Sequence, residues 1–406
     1  MKFLIISQNA GSNKHGMVLR NYNWAKTLVD MGHDVTIAAT SFSHSRLRQP
    51  RTGHDTIDGI HYKWLWGPRY SATSAVGRVL SMFVFFIQLY LPYKFLRGRY
   101  DVIVCSSPPP FTIYPANRLA DRNKAPLIFD VRDLWPLTLK ELGGISNKHP
   151  FVQLMQRAED FACRHADLVT AVPTGAEDYL KSHGLSAGKF MPMRNAVLDT
   201  PDKNPSPLSE GLKNTLTNIR AKASLVIGYT GALGTANAMD SLIEAAEKSD
   251  KDIYFVLIGD GPHRQKLEDQ AAKLKISKRC HFLGTVSSSQ IPACLSYFDV
   301  AYIGFLESPL YRYGSSPTKL NDYMKAAKPV LYSGNEDRNV IEISGGGLCV
   351  PAADPTSIVT AIESFKKMSP TERQTMGEQG KAWLIENNTV KAQMQKLLKK
   401  IKGLNR

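Results

Sequence analysis

The sequence predicts an α/β protein of two doubly wound domains, each a parallel sheet covered by helices on both faces. Three observations lead there. Short apolar runs alternate with amphipathic stretches along most of the chain, as strands buried in a parallel sheet alternate with covering helices. The alternation stops once, at TPDKNPSPLSEGL (200–212), a stretch with three prolines and no apolar periodicity that reads as a linker. The length, 406 residues, exceeds one core at roughly 100–200 residues per domain.

Phe3–Ser7 reads as the first strand and Val18–Met31 as the first helix, with Leu19, Trp24, Leu28 and Met31 among its apolar positions. GHDVTIAAT then turns into a second strand, and further strands are expected at 60–65, 101–105, 126–130 and 167–172. After the break come LVIGYTG, a helix from about Asp240, YFVLIGDG, a helix from about His263, then CHFLGTV, FDVAYIG and KPVLYSG. The expected division is a domain over 1–198, a linker over 199–221 and a domain over 222–387. A basic helix over 388–406 is expected to return to the first domain.

Composition narrows the function. With 43% hydrophobic and 21% charged residues the chain is neither disordered nor a disulfide scaffold. The five cysteines (105, 163, 280, 294, 349) form no CxxC and no Cys/His cluster, which excludes an obvious zinc ribbon or iron–sulfur site and fits a reducing compartment. MKFLIISQNAG turns polar too soon for a signal peptide and suits a buried strand. Net charge is +15, and residues 41–100 hold nine Lys/Arg against two acids. Such a patch attracts nucleic acid, anionic lipid or phosphorylated substrates. Within it Val79–Pro92 is apolar except for Ser81 and Gln88, and Arg78, Lys94, Arg97 and Arg99 flank it. Fourteen residues fall short of the ~20 that span a bilayer. The segment is either a buried core helix or an interfacial helix gripping anionic headgroups.

Three glycine-bearing loops follow expected strands, at the end of the sheet where open α/β folds bind ligands. QNAGSNKHGMVLR lacks the Lys-Ser/Thr of a P-loop and any GxGxxG, which leaves a turn suited to an anion at a helix start, or a purely structural turn. GYTGALG places Gly228, Gly231 and Gly234 past a strand, and GDGP places Gly259 and Gly261 past another. FDVRDLWP ends a strand with Arg132 and Asp133 on the crevice side: either an ion pair that fixes the loop, or an anion holder and a hydroxyl acceptor. In SSPTKLNDYMKAAKPV a helix is expected to start at Ser315-Ser316-Pro317, with Pro near its first position. Lys319 then lies in a first turn, where the dipole gives a cation no help unless an anion sits beside it, and Asp322 follows one turn on.

GHDVTI, SSPPPF, DVRDLWP, RNAVLD (194–199), IGDGPHRQKLE, FLGTV and SPTKLNDYMKAAKPV occur in the order in which a known family carries such motifs. The chain resembles a bacterial retaining glycosyltransferase of sequence family four over nearly its whole length. It is most similar to the subgroup that builds O-antigen, capsule or exopolysaccharide units. The resemblance implies the GT-B fold, α/β, with two Rossmann-like domains facing across a cleft. It also implies transfer of a sugar, an N-acetylated amino sugar among the candidates, from a UDP-sugar to a lipid-diphosphate-linked or glycan acceptor. Gly16, Gly228, Gly231, Gly234, Gly261, Arg264, Ser316 and Thr318 would meet the diphosphate, the backbone near Val286 the base, and Asp322 the ribose. Lys319, Asp133, Arg132 and His15 are the candidate catalytic residues. The family's first donor-site carboxylate falls on Gly314, and its Arg and Lys after the second domain's first strand fall on Ala232 and Asn237. Lys319 is the candidate replacement cation. No DxD motif is evident, so no metal and no other cofactor is expected. The implied location is cytoplasmic, peripheral at the inner face of the cell membrane and in contact with anionic lipid, with no nucleic-acid partner. The alternatives are a nucleotide-sugar 2-epimerase-like relative, or a nucleic-acid-binding module using Tyr62, Trp64, Trp66 and Tyr70 beside Lys63 and Arg69.

Overall fold

A computed structural model describes residues 1–404 except 17–18, 72, 91–95, 97, 200–204 and 337–338. It divides into one unit formed by 1–198 with 390–406 and another formed by 199–389.

The first unit is built on strands β1 (Lys2–Ile6), β2 (Asp34–Thr40), β3 (Gly53–Ile57), β4 (Ile60–Leu65), β5 (Val102–Ser106), β6 (Leu127–Val131), β7 (Leu168–Ala171) and β8 (Phe190–Pro192). They form an eight-stranded sheet in the order β3-β4-β2-β1-β5-β6-β7-β8. Every neighbouring pair is parallel except β3–β4, an antiparallel hairpin at the edge. The sequence reading missed β3 because GHDTI is polar: an edge strand buries little, and only Ile57 is buried. The helices are α1 (Arg20–Asp30), α2 (Ala75–Tyr90), α3 (Ile113–Asn123), α4 (Leu137–Glu141), α5 (Pro150–His165) and α6 (Glu177–Ser182). The chain's last helix also belongs to this unit.

The second unit holds β9 (Leu225–Thr230), β10 (Ile253–Ile258), β11 (Cys280–Phe282), β12 (Val300–Gly304), β13 (Val330–Ser333) and β14 (Gly347–Val350). Their order is β11-β10-β9-β12-β13-β14, all parallel. Its helices are α7 (Glu210–Lys222), α8 (Met239–Lys248), α9 (Arg264–Lys273), α10 (Ile291–Leu295), α11 (Thr318–Lys325), α12 (Val340–Ser344), α13 (Pro355–Lys367) and α14 (Pro370–Asn387). Helix α7 corrects the expected linker over 199–221: Ser209 caps it by accepting from the Leu212 N–H, and Leu216 and Ile219 are its buried positions. Helix α15 (Val390–Ile401) buries Val390, Met394, Leu397 and Ile401 in the first unit's core beside Trp24 and Leu28 of α1.

In both sheets the strand order reverses beside the unit's first strand, between β1 and β5 and between β9 and β12. Loops leaving such neighbours diverge and open a crevice beyond the strand C-termini, where doubly wound sheets bind ligands. Segments 7–16 and 231–238 leave from β1 and β9 at these positions.

Candidate functional site

In the second unit, the chain leaving β9 turns at Gly231 (φ +142°), where a Cβ would lie 3.3 Å from the Lys319 ammonium. Pro317 stands at the extended N-cap position of α11 rather than inside it, and no side chain caps the helix. The N–H groups of Thr318 and Lys319 therefore have no carbonyl within the helix to bind.

Lys319 is the centre of this site. Its Nζ donates to Asn237 Oδ1 at 2.7 Å and Tyr229 Oη at 2.8 Å, and lies 4.3 Å from the centre of the Tyr229 ring. Both acceptors are held in place: Tyr229 Oη and Asn237 Nδ2 each donate to the Ala232 carbonyl, at 2.7 and 3.0 Å. All these partners are neutral. With no carboxylate beside it, burial pushes the Lys319 ammonium down to about 7. An anion delivered to this point restores the charge, and the bare N–H groups of α11 point to the same sign of ligand.

Asp322 lies on the exposed side of α11 and is not paired with Lys319. The protein crowded around its carboxyl pushes it up to about 6, and Lys325 pulls the other way. Ser316 is half-buried and Thr318 exposed at the helix start. Val286 is half-buried in the loop after β11. Arg264 is bound elsewhere: its Nε donates to Glu268 at 2.8 Å and its Nη2 to the Phe282 carbonyl at 3.3 Å.

The expected glycines separate into two kinds. Gly228 is a correction: it lies inside β9, where a Cβ would come 1.9 Å from the Phe298 ring, so it serves core packing and meets no ligand. At Gly261 a Cβ would lie 2.4 Å from the Leu233 carbonyl, so the glycine lets two loops touch. Gly234 has open space around its Cα. Gly314 has φ +92° at the end of a short 3-10 turn and presents no side chain where the family pattern has a carboxylate.

In the first unit, His15 is buried and its Nδ1 is 2.8 Å from Ser12 Oγ, with its ring edge-on to Trp64 at 5.2 Å. Burial first, then the Arg46 charge, lowers its pKa. Arg46 was not foreseen. Its guanidinium donates to the carbonyls of Thr40 (2.8 Å), Ala10 (3.0 Å) and Gln8 (3.4 Å), and burial pushes it down to about 10. Gly16 has φ +70°, and a Cβ there would lie 2.9 Å from Leu47.

Arg132 and Asp133 do not pair with each other, so the ion-pair alternative fails. The ion pair at this strand end is Arg20–Asp130, 3.0 Å apart and buried. Asp130 also accepts from Ser106 Oγ (2.8 Å) and Thr170 Oγ1 (3.0 Å), and Arg20 reaches the Met193 and Arg194 carbonyls at 2.9 and 3.0 Å. Asp133 is left at the surface. The surrounding protein raises its carboxyl above the usual range, and Arg132 partly offsets this.

Residues 217–383 match the family model described as glycosyl transferases group 1, and residues 15–196 match the glycosyl transferase 4-like domain. The chain belongs to the glycosyltransferases of the GT-B fold. Its relatives include 2-deoxystreptamine glucosyltransferase of Streptomyces kanamyceticus, 23% identical over 254 residues. That match spans 59% of this chain and 60% of the relative's length. Among solved structures it is similar to HepE of Anabaena in complex with UDP and glucose (TM-score 0.67, 16% identity, all of both chains). It is also similar to sucrose-phosphate synthase of Thermosynechococcus elongatus (TM-score 0.73, 15% identity, 99% of both chains). A third is WaaG, a glycosyltransferase involved in lipopolysaccharide biosynthesis (TM-score 0.65, 13% identity, all of both chains).

In this glycosyltransferase Lys319 reaches Asn237 in the loop after β9. A cation carried on α11 thus arrives at the β9 loop. Tyr229 and Asn237 were missed as its seat, although a tyrosine one residue before a strand's end and an asparagine in a glycine-rich loop were both legible signals.

Proposed function

We propose that this glycosyltransferase moves a sugar from a UDP-sugar, with retention of configuration, to a lipid-diphosphate-linked or glycan acceptor during bacterial surface-polysaccharide synthesis. The observation that carries the reading is the Lys319 ammonium, seated between Tyr229 and Asn237 with only neutral partners beside the helix start. The donor diphosphate lies against Lys319, Gly231, Gly234 and the N–H groups of α11, the base near Val286, and the ribose at Asp322. As the anomeric carbon–oxygen bond breaks, the sugar gains oxocarbenium character and negative charge grows on the departing UDP. Lys319 and the helix start stabilise that charge, which lowers the barrier and does the work of a metal cation. The acceptor hydroxyl attacks the face the diphosphate leaves. Its proton passes to the departing phosphate oxygen, so atoms and charge balance without a protein base.

The first unit takes the acceptor, with Asp133 accepting from its hydroxyl and Arg132 and Lys14–Gly16 holding its anionic part. A lipid-diphosphate acceptor places the enzyme peripherally at the inner face of the cell membrane. A thermal-shift screen against nucleotide diphosphates and their sugars tests the donor. Ligand at about 100 times its dissociation constant adds ~2.7 kcal/mol, so a shift with UDP and UDP-sugars and none with the other nucleoside diphosphates is expected. Nuclear magnetic resonance of the product anomer tests retention. An inverted anomer, or conversion of UDP-sugar to a 2-epimer without acceptor, refutes the proposal.

A further inference from the structure

Helix α2 carries two apolar faces, and the fold uses one of them. Ser81, Phe85 and Leu89 are its buried positions. Ser81 Oγ accepts from Gln8 Nε2 at 3.1 Å, which anchors this side to the sheet. On the opposite side Val76 is 80% exposed, Leu80 53%, Ile87 50% and Tyr90 47%. At about 100° per residue these four stay within about 40° of one line along the helix. Phe83 lies on the same line, half-buried where its ring stacks on Phe111. Trp66, 57% exposed, stands next to this helix, because its carbonyl accepts from Gln88 Nε2 at 2.7 Å. Exposed aliphatic side chains in a row, with an aromatic at one end and another alongside, are costly in water and common where a helix meets a bilayer. Leu91 and Pro92, at the end of the apolar run, lie outside the described residues, as do the flanking Lys94 and Arg97.

Charge selects the occupant. From 59 to 100 the chain has no carboxylate and six basic residues: Lys63, Arg69, Arg78, Lys94, Arg97 and Arg99. Helix α3 adds Arg118 and Arg122 against one acid, Asp121. Exposed Arg118 lies 5.3 Å over the Tyr90 ring, which sets a guanidinium at the end of the apolar row. A second copy of this chain brought face to face would oppose like charges. An anionic headgroup layer meets the cations and receives the apolar row beneath. Among the described residues no helix is long and apolar enough to cross a membrane, so the helix can lie along the interface.

We propose that the outer face of α2, with Trp66 and Arg118, docks on an anionic phospholipid surface. This deepens the membrane side of the proposed function and names the surface, but it does not depend on which sugar is moved. The test is flotation of the full chain with phosphatidylcholine–phosphatidylglycerol vesicles and with phosphatidylcholine alone. Binding to the mixed vesicles, released by salt, is expected. Leu80→Gln with Ile87→Gln should cut it at least tenfold at every salt concentration. Arg118→Gln should cut it about fivefold, at low salt only. Trp66 emission should shift to the blue on mixed vesicles, a shift that Trp66→Phe removes. None of these variants should change the melting temperature or transfer to a soluble acceptor, so loss of docking is read separately from loss of catalysis. Absence of wild-type binding, wild-type binding by the Leu80/Ile87 variant, or a dimer that this variant splits without any vesicle binding would each overturn the proposal.

Discussion

Lys319 offers the sharpest test because its seat makes its charge depend on the ligand. In the free protein burial holds its pKa at about 7, well below the usual 10.5. Bound diphosphate favours the ammonium, so binding takes up a proton above that pH. Between pH 7 and 8.5 the protonated fraction of the free enzyme falls from one half to about 3%, and UDP-sugar affinity should fall about 15-fold, or ~1.6 kcal/mol. The lysine also leaves a mark on stability. Its folded pKa is depressed, so between about 7 and 10.5 the unfolded chain binds more protons, and stability rises with pH across that window. Below it the ligand-free fold carries the full cost of a half-buried ammonium with neutral partners. Lys319→Met should therefore raise the stability of the ligand-free protein at pH 7, by roughly 1–3 kcal/mol, as apolar replacements of buried charges do. The same variant should weaken UDP-sugar binding at pH 7, cut turnover further, and flatten the pH profile. Isothermal titration calorimetry in buffers of different ionisation enthalpy reads the proton uptake, and chemical denaturation reads the stability. A pH-independent wild-type affinity, or a Met variant that is destabilised and still binds UDP-sugar normally, would refute the reasoning.

Asp322→Ala should weaken UDP binding tenfold or more, because a carboxylate that accepts from both ribose hydroxyls gives charge-assisted bonds of ~1.5–3 kcal/mol; calorimetry with UDP and with a 2′-deoxy analogue, which should lose the difference, checks it. Asp133→Asn should lower turnover on acceptor and leave UDP affinity unchanged, since the two residues belong to different units; equal loss of both, by steady-state kinetics and calorimetry, would make Asp133 structural. Asp130→Asn should destabilise the fold by roughly 3–5 kcal/mol, because it strands the buried Arg20 guanidinium; denaturation reads this, and a loss under 1 kcal/mol would contradict it.

The sequence by itself determined the two doubly wound domains. Periodicity is a local signal, and the apolar runs that announced β1, β2, β4, β9, β10 and β12 are strands buried along most of their length. It failed where burial is slight, at the edge strand β3, and where prolines and polar residues masked a helix, at α7. Lys319 was legible because a cation in a first turn contradicts the helix dipole. What that cation touches was not legible. Tyr229 and Asn237 stand 90 and 82 positions away, and Arg20 stands 110 from Asp130. Nor did a glycine's position reveal its purpose: Gly228 and Gly231 share one motif, yet one makes room for Phe298 and the other turns the chain beside Lys319. The same holds for α2, whose run is apolar all round, so no period marked which side would pack. Only the tertiary structure decided these points, because side-chain partners and free faces are set by how distant segments meet, while periodicity and propensity act over a few turns of local chain.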